Sequence, residues 1–462
     1  MSWQEHLAQS ADRAVVDLVD FCRIPSVSTD PDHTDDCRRG AEWVVGRLRA
    51  AGIESTEVIE SPGHPVAYGE WLAAPGAPTV MVYGHYDVQP ADPESEWTTP
   101  PFEPDVRDER LYARGASDDK GNMLAPILAV EAHLRSGGLP LQLNVKFFFE
   151  GEEEIGSPNL APVFEQHAGR FSCDAVYSAD GFQWDQDQPS LTTALRGVCA
   201  TRIDVYGPGR DLHSGSYGGT VHNPAAALSR IIASMVDDEG RVLVDGFYDG
   251  VAGLDDEDRR HIAAVPFDPV AYLKDTGASS LFGEPEFTPR ERAWARPTLE
   301  IDGMWSGATG EGRKAIIPAS AHAKVSCRLV AGQDPATIVA ALQRHVATHT
   351  PPGVTATVND LQVSSAAYQM PVDHPANDVA TTVLRELYGR DPYYARTGGT
   401  IAILNMFRRF LGADTVMFAF GLRDENAHAP DEFFRLSSFA RAQHAYGRLF
   451  EVLAAGTLQK EA

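Results

Sequence analysis

Cysteine is scarce in this chain: five residues among 462, at positions 22, 37, 173, 199 and 327, odd in number and forming no CxxC pair. That usage argues against a disulfide framework and reads as reduced core residues of a cytoplasmic protein. Basic charge is in short supply as well, with 39 Lys and Arg against 65 Asp and Glu and a formal net charge of −26. So acidic a surface repels phosphate backbones and anionic lipid, so neither nucleic acid nor a membrane surface is an expected partner. Long apolar runs are missing too; none reaches the roughly 18 residues that a membrane-spanning helix needs. Met1 to His6 lack a basic stretch leading into an apolar one, so no secretory signal is expected. HExxH, Walker, GxGxxG and GxSxG motifs are all absent. What is present, 43% hydrophobic and 23% charged residues, is the balance of a folded globular protein long enough for two or three domains.

Helical spacing of Leu7, Ala11, Val15, Leu18 and Cys22 predicts a helix that stops before Pro25. Ala41, Val44, Val45 and Leu48 predict a second, capped by Gly52. The apolar run 79–83, bounded by Pro78 and Gly84, suits a strand buried on both faces. A helix over 120–136 and strands over 143–149 and 175–179 continue an alternation that indicates an α/β sheet. From about residue 197 the rhythm becomes strand (199–206), helix (222–236), strands near 297–303 and 321–330, helix (335–348) and strand (354–360). That βαββαβ order is the signature of a ferredoxin-like unit. An insertion rich in charge and proline, about 240–296, interrupts it. Beyond about 368, long helices return with one buried strand at 416–420. The expected organisation is an α/β domain built from residues 1–196 and 368–462, with residues 197–367 inserted as a smaller domain.

The predicted strands of the larger domain end in residues able to hold a metal. After 79–84 come His85 and Asp87; after 110–113, Asp118 and Asp119; after 143–149, Glu150 and Glu152 to Glu154; after 175–179, Asp180; after 415–420, His428. Taken singly each has an ordinary reading: a hydrogen-bonded loop histidine, a solvated acidic loop, an aspartate N-cap. Their coincidence at five strand exits favours a shared site, because an open α/β sheet binds ligands beyond the carboxyl ends of its strands. Two imidazoles and several carboxylates suit zinc or another divalent first-row ion. The ligands outnumber what one ion requires, and two ions could share a carboxylate and activate a bridging water. Asp87, two residues after His85 on an extended segment, points to the same side and can orient the imidazole.

Four motifs carry a family resemblance: Gly84-His85-Tyr86-Asp87-Val88-Gln89-Pro90, Ser117-Asp118-Asp119-Lys120-Gly121, Glu150-Gly151-Glu152-Glu153-Glu154-Ile155-Gly156-Ser157 and Asp211-Leu212-His213-Ser214-Gly215. Over roughly residues 5–455 the chain resembles the co-catalytic di-metal peptidases that include carnosinase-type dipeptidases, aminoacylase, carboxypeptidase G, acetylornithine deacetylase and succinyl-diaminopimelate desuccinylase. The resemblance implies a mixed-sheet α/β catalytic domain of the zinc-exopeptidase type with an inserted ferredoxin-like lid and dimerisation domain. It also implies two divalent ions per subunit, zinc first, with manganese or cobalt as alternatives. One ion would take His85, Asp118 and Asp180, the other Asp118, Glu154 and His428, with the Asp118–Asp119 peptide cis. Glu153 would be the general base for a metal-bridging hydroxide, and Asp87 the residue orienting His85. Within the triple glutamate, the register that makes Glu153 the base and Glu154 the ligand rests on aligning Glu150-Gly151 and Gly156-Ser157 with the family pattern. His213 would act across a homodimer, Arg328 would bind a substrate carboxylate, and Gly398, Gly399 and Thr400 would approach the substrate.

Chain length, the 240–296 insertion, His85-Tyr86-Asp87-Val88-Gln89-Pro90 and Ser216-Tyr217-Gly218-Gly219 are similar to the longer dipeptidase branch. The expected activity is therefore metal-dependent hydrolysis of dipeptides with a free C-terminal carboxylate. The alternative is an N-acyl-amino-acid amidohydrolase or deacylase with the same catalytic residues. A silent scaffold would have lost the base or a ligand, and none of these residues is missing.

Overall fold

An apolar run bounded by turn residues becomes the strand Thr79–His85, buried at every position after the first. Asn144–Glu150 lies parallel to it on one side and Ala175–Ser178 on the other, and Thr415–Met417 extends the parallel set. Val66–Trp71 and Ser55–Ile59 continue the sheet antiparallel past Asn144–Glu150, so the sheet is mixed. The computed structural model describes residues 1–137, 142–456 and 458, and the protein is a mixed α/β fold.

The helix Gly121–Arg135 is buried from Gly121 through His133. A helix apolar on almost every face belongs in the interior, and this one packs between Leu436–Ala454 and the strand Thr79–His85. Phe147, Phe148 and Phe149 are fully buried, each worth roughly 1.5–3 kcal/mol of burial. Phe148 adds edge-to-face contacts with Phe171 at 5.2 Å and Phe407 at 5.8 Å. The central strands run in one direction and in step, His85 opposite Glu150 and Tyr83 opposite Ser178. Their carboxyl ends therefore deliver His85, the 150–154 segment and Asp180 to one edge of the sheet.

Two local readings differ from expectation. The first helix is two, Trp3–Gln9 and Ala11–Cys22, because the Ser10 hydroxyl donates to the His6 carbonyl (2.8 Å) and ends the first. Ser55–Ile59 and Val66–Trp71 were not anticipated; Ser55, Thr56 and Glu57 alternate exposed and half-buried at the sheet edge and carry no apolar run.

The chain divides into two compact units, one of residues 1–193, 370–395 and 401–462, the other of 194–369 and 396–400. The second unit contains a four-stranded antiparallel sheet in the order Thr298–Ser306, Ser320–Leu329, Gly197–Tyr206, Thr355–Ser365. Helices Pro224–Ala233 and Pro335–His349 share one core with it, through Leu228, Ile231, Ile338, Leu342, Ile203 and Val325. With its chain order, this is a ferredoxin-like arrangement. Three helices, Asp256–Ala264, Pro269–Thr276 and Pro289–Ala295, lie within the 240–296 segment. Among the described residues no helix is long and apolar enough to cross a membrane.

Candidate metal centre

The strand-exit residues converge within the first unit. His85, Asp118 and Glu154 each offer a ligand atom, all within 4.8 Å of one another. Asp118 stands between two imidazoles: its Oδ1 is 3.1 Å from His85 Nε2 and its Oδ2 is 3.0 Å from His428 Nε2. His428 Nε2 is also 3.4 Å from Glu154 Oε2. Asp180 is buried, and its charge is felt together with those of His85, Asp118, Glu154 and His428. Asp118 is reached through Gly115, at φ 79, where a Cβ would meet Val88 Cγ1 at 2.4 Å. The Asp118–Asp119 peptide is cis.

Asp87 contacts both the His85 ring and the glutamate loop. The His85 Nδ1 is 3.0 Å from the Asp87 carbonyl and 3.4 Å from its Oδ1. The Asp87 carboxylate accepts from the amides of Glu153 (3.2 Å) and Glu154 (3.1 Å) and from the Ser28 hydroxyl (2.6 Å). One buried carboxylate thus ties the His85 strand end to the glutamate loop. The three glutamates separate by contact. Glu152 turns away, accepting from the His64 amide and from Asn159. Glu154 faces His428 and accepts from Gln89 Nε2 at 2.8 Å. Glu153 lies where the charges of His85, Asp180, Glu154 and Asp118 reach it.

Burial works to lower the His85 imidazole, but hydrogen bonds to Asp118 and Asp87 outweigh it and hold the ring well above its usual range. Hydrogen bonds donated to Asp118, then to Glu154, raise His428 to about 10. Burial opposes ionisation of Asp118, yet His428 and His85 bring its carboxyl below the usual range. Burial, with the Asp118 and Glu154 charges, raises Asp180 to about 7, and burial lifts Glu153 well above its ordinary value. The carboxylates of Asp118, Asp180 and Glu154 with the imidazoles of His85 and His428 make a donor set without thiolate, of the kind whose protons a divalent cation would displace on binding. The two Asp118 oxygens, each facing a different imidazole, fit a carboxylate shared by two such ions.

Residues 81–452 match the profile of Peptidase family M20/M25/M40. The chain belongs to this family. The Cys-Gly metallodipeptidase dug1 of Schizosaccharomyces pombe is 31% identical over 460 residues, covering 95% of this chain and 94% of that one. The Beta-Ala-His dipeptidase of Homo sapiens is 32% identical over 379 residues, covering 80% and 74%. The crystal structure of the M20 family metallo-carboxypeptidase Sso-CP2 from Sulfolobus solfataricus matches with a TM-score of 0.82 at 30% identity, over 96% of this chain and 99% of that one. The protein is thus an M20-family hydrolase with a site able to hold metal.

The other residues singled out in this M20 sequence lie in the second unit. His213 is exposed, and its Nδ1 accepts from the Gly215 amide (3.0 Å). Arg328, on Ser320–Leu329, donates weakly to the Gly398 carbonyl (3.4 Å). Thr400 donates to the Arg196 carbonyl (2.6 Å), and Arg396 pairs with Asp258. These bonds explain why 396–400 group with 194–369, although sequence alone attached them to the 368–462 part.

Sequence reasoning gave no role to Ser28, Gln89, Glu425 or Glu432. Gln89 sits inside a motif already singled out; the other three have no local signal, since the bonds that tie them to Asp87, Ser117 and Asp118 span 59 residues or more. Gly84 is a further constraint: a Cβ there would sit 2.7 Å from Asp119 Oδ2 and 2.7 Å from Met123 Cβ. Asp119 Oδ2 accepts the His85 amide at 3.1 Å. Gly84→Ala should therefore cost roughly 1–3 kcal/mol through overpacking, read by denaturant titration, with a parallel fall in activity as the Asp119–His85 bond is displaced.

Proposed function

We propose that the protein is a metal-dependent dipeptidase that hydrolyses the amide of dipeptides with a free C-terminal carboxylate. The observation that carries the reaction class is Asp118, with one carboxylate oxygen facing His85 and the other His428. The printed names of relatives that span most of the chain, Cys-Gly metallodipeptidase and Beta-Ala-His dipeptidase, point to dipeptides. His85, Asp118 and Asp180 would hold one divalent cation, and Asp118, Glu154 and His428 a second; zinc is the expected metal, with manganese and cobalt compatible with the donors. When bound, such ions acidify water and polarise a carbonyl. Glu153 takes the proton of the attacking water and passes it to the amine as the carbon–nitrogen bond breaks. Asp87 keeps His85 and the 153–154 amides in place for that transfer. Arg328 pairs with the substrate carboxylate, for which a planar guanidinium is suited; the Gly398–Thr400 segment lies against the same substrate. His213 stabilises the developing oxyanion from the neighbouring subunit of a homodimer.

A second reading, removal of C-terminal residues from longer peptides, is favoured by the likeness to the metallo-carboxypeptidase. The test compares a dipeptide, its C-terminal amide, a tripeptide and the matching N-acetyl amino acid, using enzyme stripped by chelator and reloaded with zinc or manganese. Metal-dependent cleavage of the free dipeptide, lost on amidation, is expected. Equal cleavage of the tripeptide would replace the reading by a carboxypeptidase, and preference for the N-acetyl substrate by a deacylase. Cleavage of the amide at the same rate would remove the carboxylate requirement and with it the role of Arg328.

A further inference from the structure

His428 reaches Asp118 from a segment with no regular structure of its own. Asn426, His428 and Asp431 adopt φ of 56°, 62° and 57°, left-handed conformations that a non-glycine residue holds only under constraint. The constraint lies on either side of it. Glu425, three residues before, and Glu432, four residues after, are both fully buried.

The Glu432 carboxylate grips the segment that leads to Asp118. Its Oε2 accepts from Arg114 Nη1 (2.7 Å) and the Gly115 amide (2.8 Å), and its Oε1 from the amides of Ser117 (2.9 Å) and Asp118 (3.0 Å). Three backbone amides and one guanidinium converge on a single anion, a set of charge-assisted bonds with directions fixed at both oxygens. Glu425 makes the second attachment. Its Oε2 accepts from the Ser117 hydroxyl (2.7 Å) and the Leu422 amide (2.8 Å), and its Oε1 from the Arg435 amide (3.2 Å) and Nη1 (3.1 Å). The segment carrying His428 is thus tied at both ends to the segment carrying Asp118, more than 300 residues away in the chain.

We propose that Glu432 and Glu425 form a two-point clamp that sets the Asp118–His428 distance, and that Glu432 is a positioning residue for the metal pair. The clamp acts on the Asp118 backbone and leaves both Asp118 carboxylate oxygens free for the two imidazole-bearing subsites. This inference rests on the two-metal reading above. Glu432→Gln keeps the side chain's size but turns an amide NH2 toward groups that are themselves donors. It disorders the Asp118 backbone without removing any ligand.

The probe is Co2+ alone, added to metal-free protein, with binding followed by calorimetry and by the visible absorption of the bound ion. E432Q is expected to weaken Co2+ binding by roughly 10–100-fold, as loss of a partner behind a ligand does, and to change the absorption band. Glu131→Gln supplies the structural comparison: Glu131 is equally buried and accepts from Arg13 and Arg47 at 2.6 and 2.5 Å, remote from the Asp118 segment. It should lower the melting temperature yet leave Co2+ affinity and spectrum unchanged. Should E432Q not fold, Ser117→Ala removes one bond to Glu425 with little change in volume and should weaken Co2+ by a measurable factor. Wild-type affinity and spectrum in whichever of E432Q and S117A folds, or an equal loss in E131Q, would overturn the clamp. Absence of Co2+ binding in the unaltered protein would instead overturn the two-metal reading itself.

Discussion

Glu153→Gln is expected to lower kcat by roughly 10²–10⁴-fold, the usual contribution of a positioned acid–base group, while KM and cation content stay close to those of the unaltered protein. The substitution preserves shape, and the Glu153 amide still reaches Asp87. What disappears is the ability to take a proton from water and return it to the leaving amine. Steady-state kinetics on a free dipeptide, paired with elemental analysis of the bound metal, separates the two effects. The neighbouring substitutions sharpen the result. Glu152→Gln should act mainly on stability, because Glu152 holds His64 and Asn159 rather than the site. Glu154→Gln should lose cation. A Glu153→Gln enzyme retaining full kcat, with Glu152→Gln losing it, would shift the catalytic register by one residue.

The larger effect is expected at Asp118. Asp118→Asn keeps the backbone bonds to Glu432 but turns one of two opposed carboxylate oxygens into a donor. An NH2 group cannot ligate a cation, and one imidazole then faces a group of the wrong polarity. Activity should fall by about 10⁴-fold or more, beyond the acid–base range, because loss of shared ligation removes the activation of water along with it. Metal content should drop below two per chain. Titration of zinc into the stripped variant, read as stoichiometry and affinity, decides the matter: two ions bound with unaltered affinity would mean that Asp118 is not the shared ligand.

Much of this site was visible in the order of residue types. Runs such as 79–83 and 143–149 announce buried strands by composition alone, and these parallel strands run in step, so His85, Glu154 and Asp180 come out at one edge of the sheet. The same local logic gave the helix 120–136 and the βαββαβ order of the second unit. It did not reveal the polar edge strand Ser55–Ile59, whose first residues alternate exposed and half-buried and leave no apolar signature, nor its partner Val66–Trp71, buried over its first four residues but too short a run to stand out.

Hydrophobic periodicity and strand-end chemistry are properties of a few consecutive residues, and these the chain states in its own order. Which Asp118 oxygen meets which imidazole, that Glu152 accepts the His64 amide, that Asp87 binds the amides of the loop beside it, and that Glu432 closes on the amides of Gly115, Ser117 and Asp118 are pairings across 33 to 317 residues. No local pattern encodes a partner at that range. Those pairings follow from burial: once packing has removed a carboxylate from water, it must find donors among whatever the fold brings beside it.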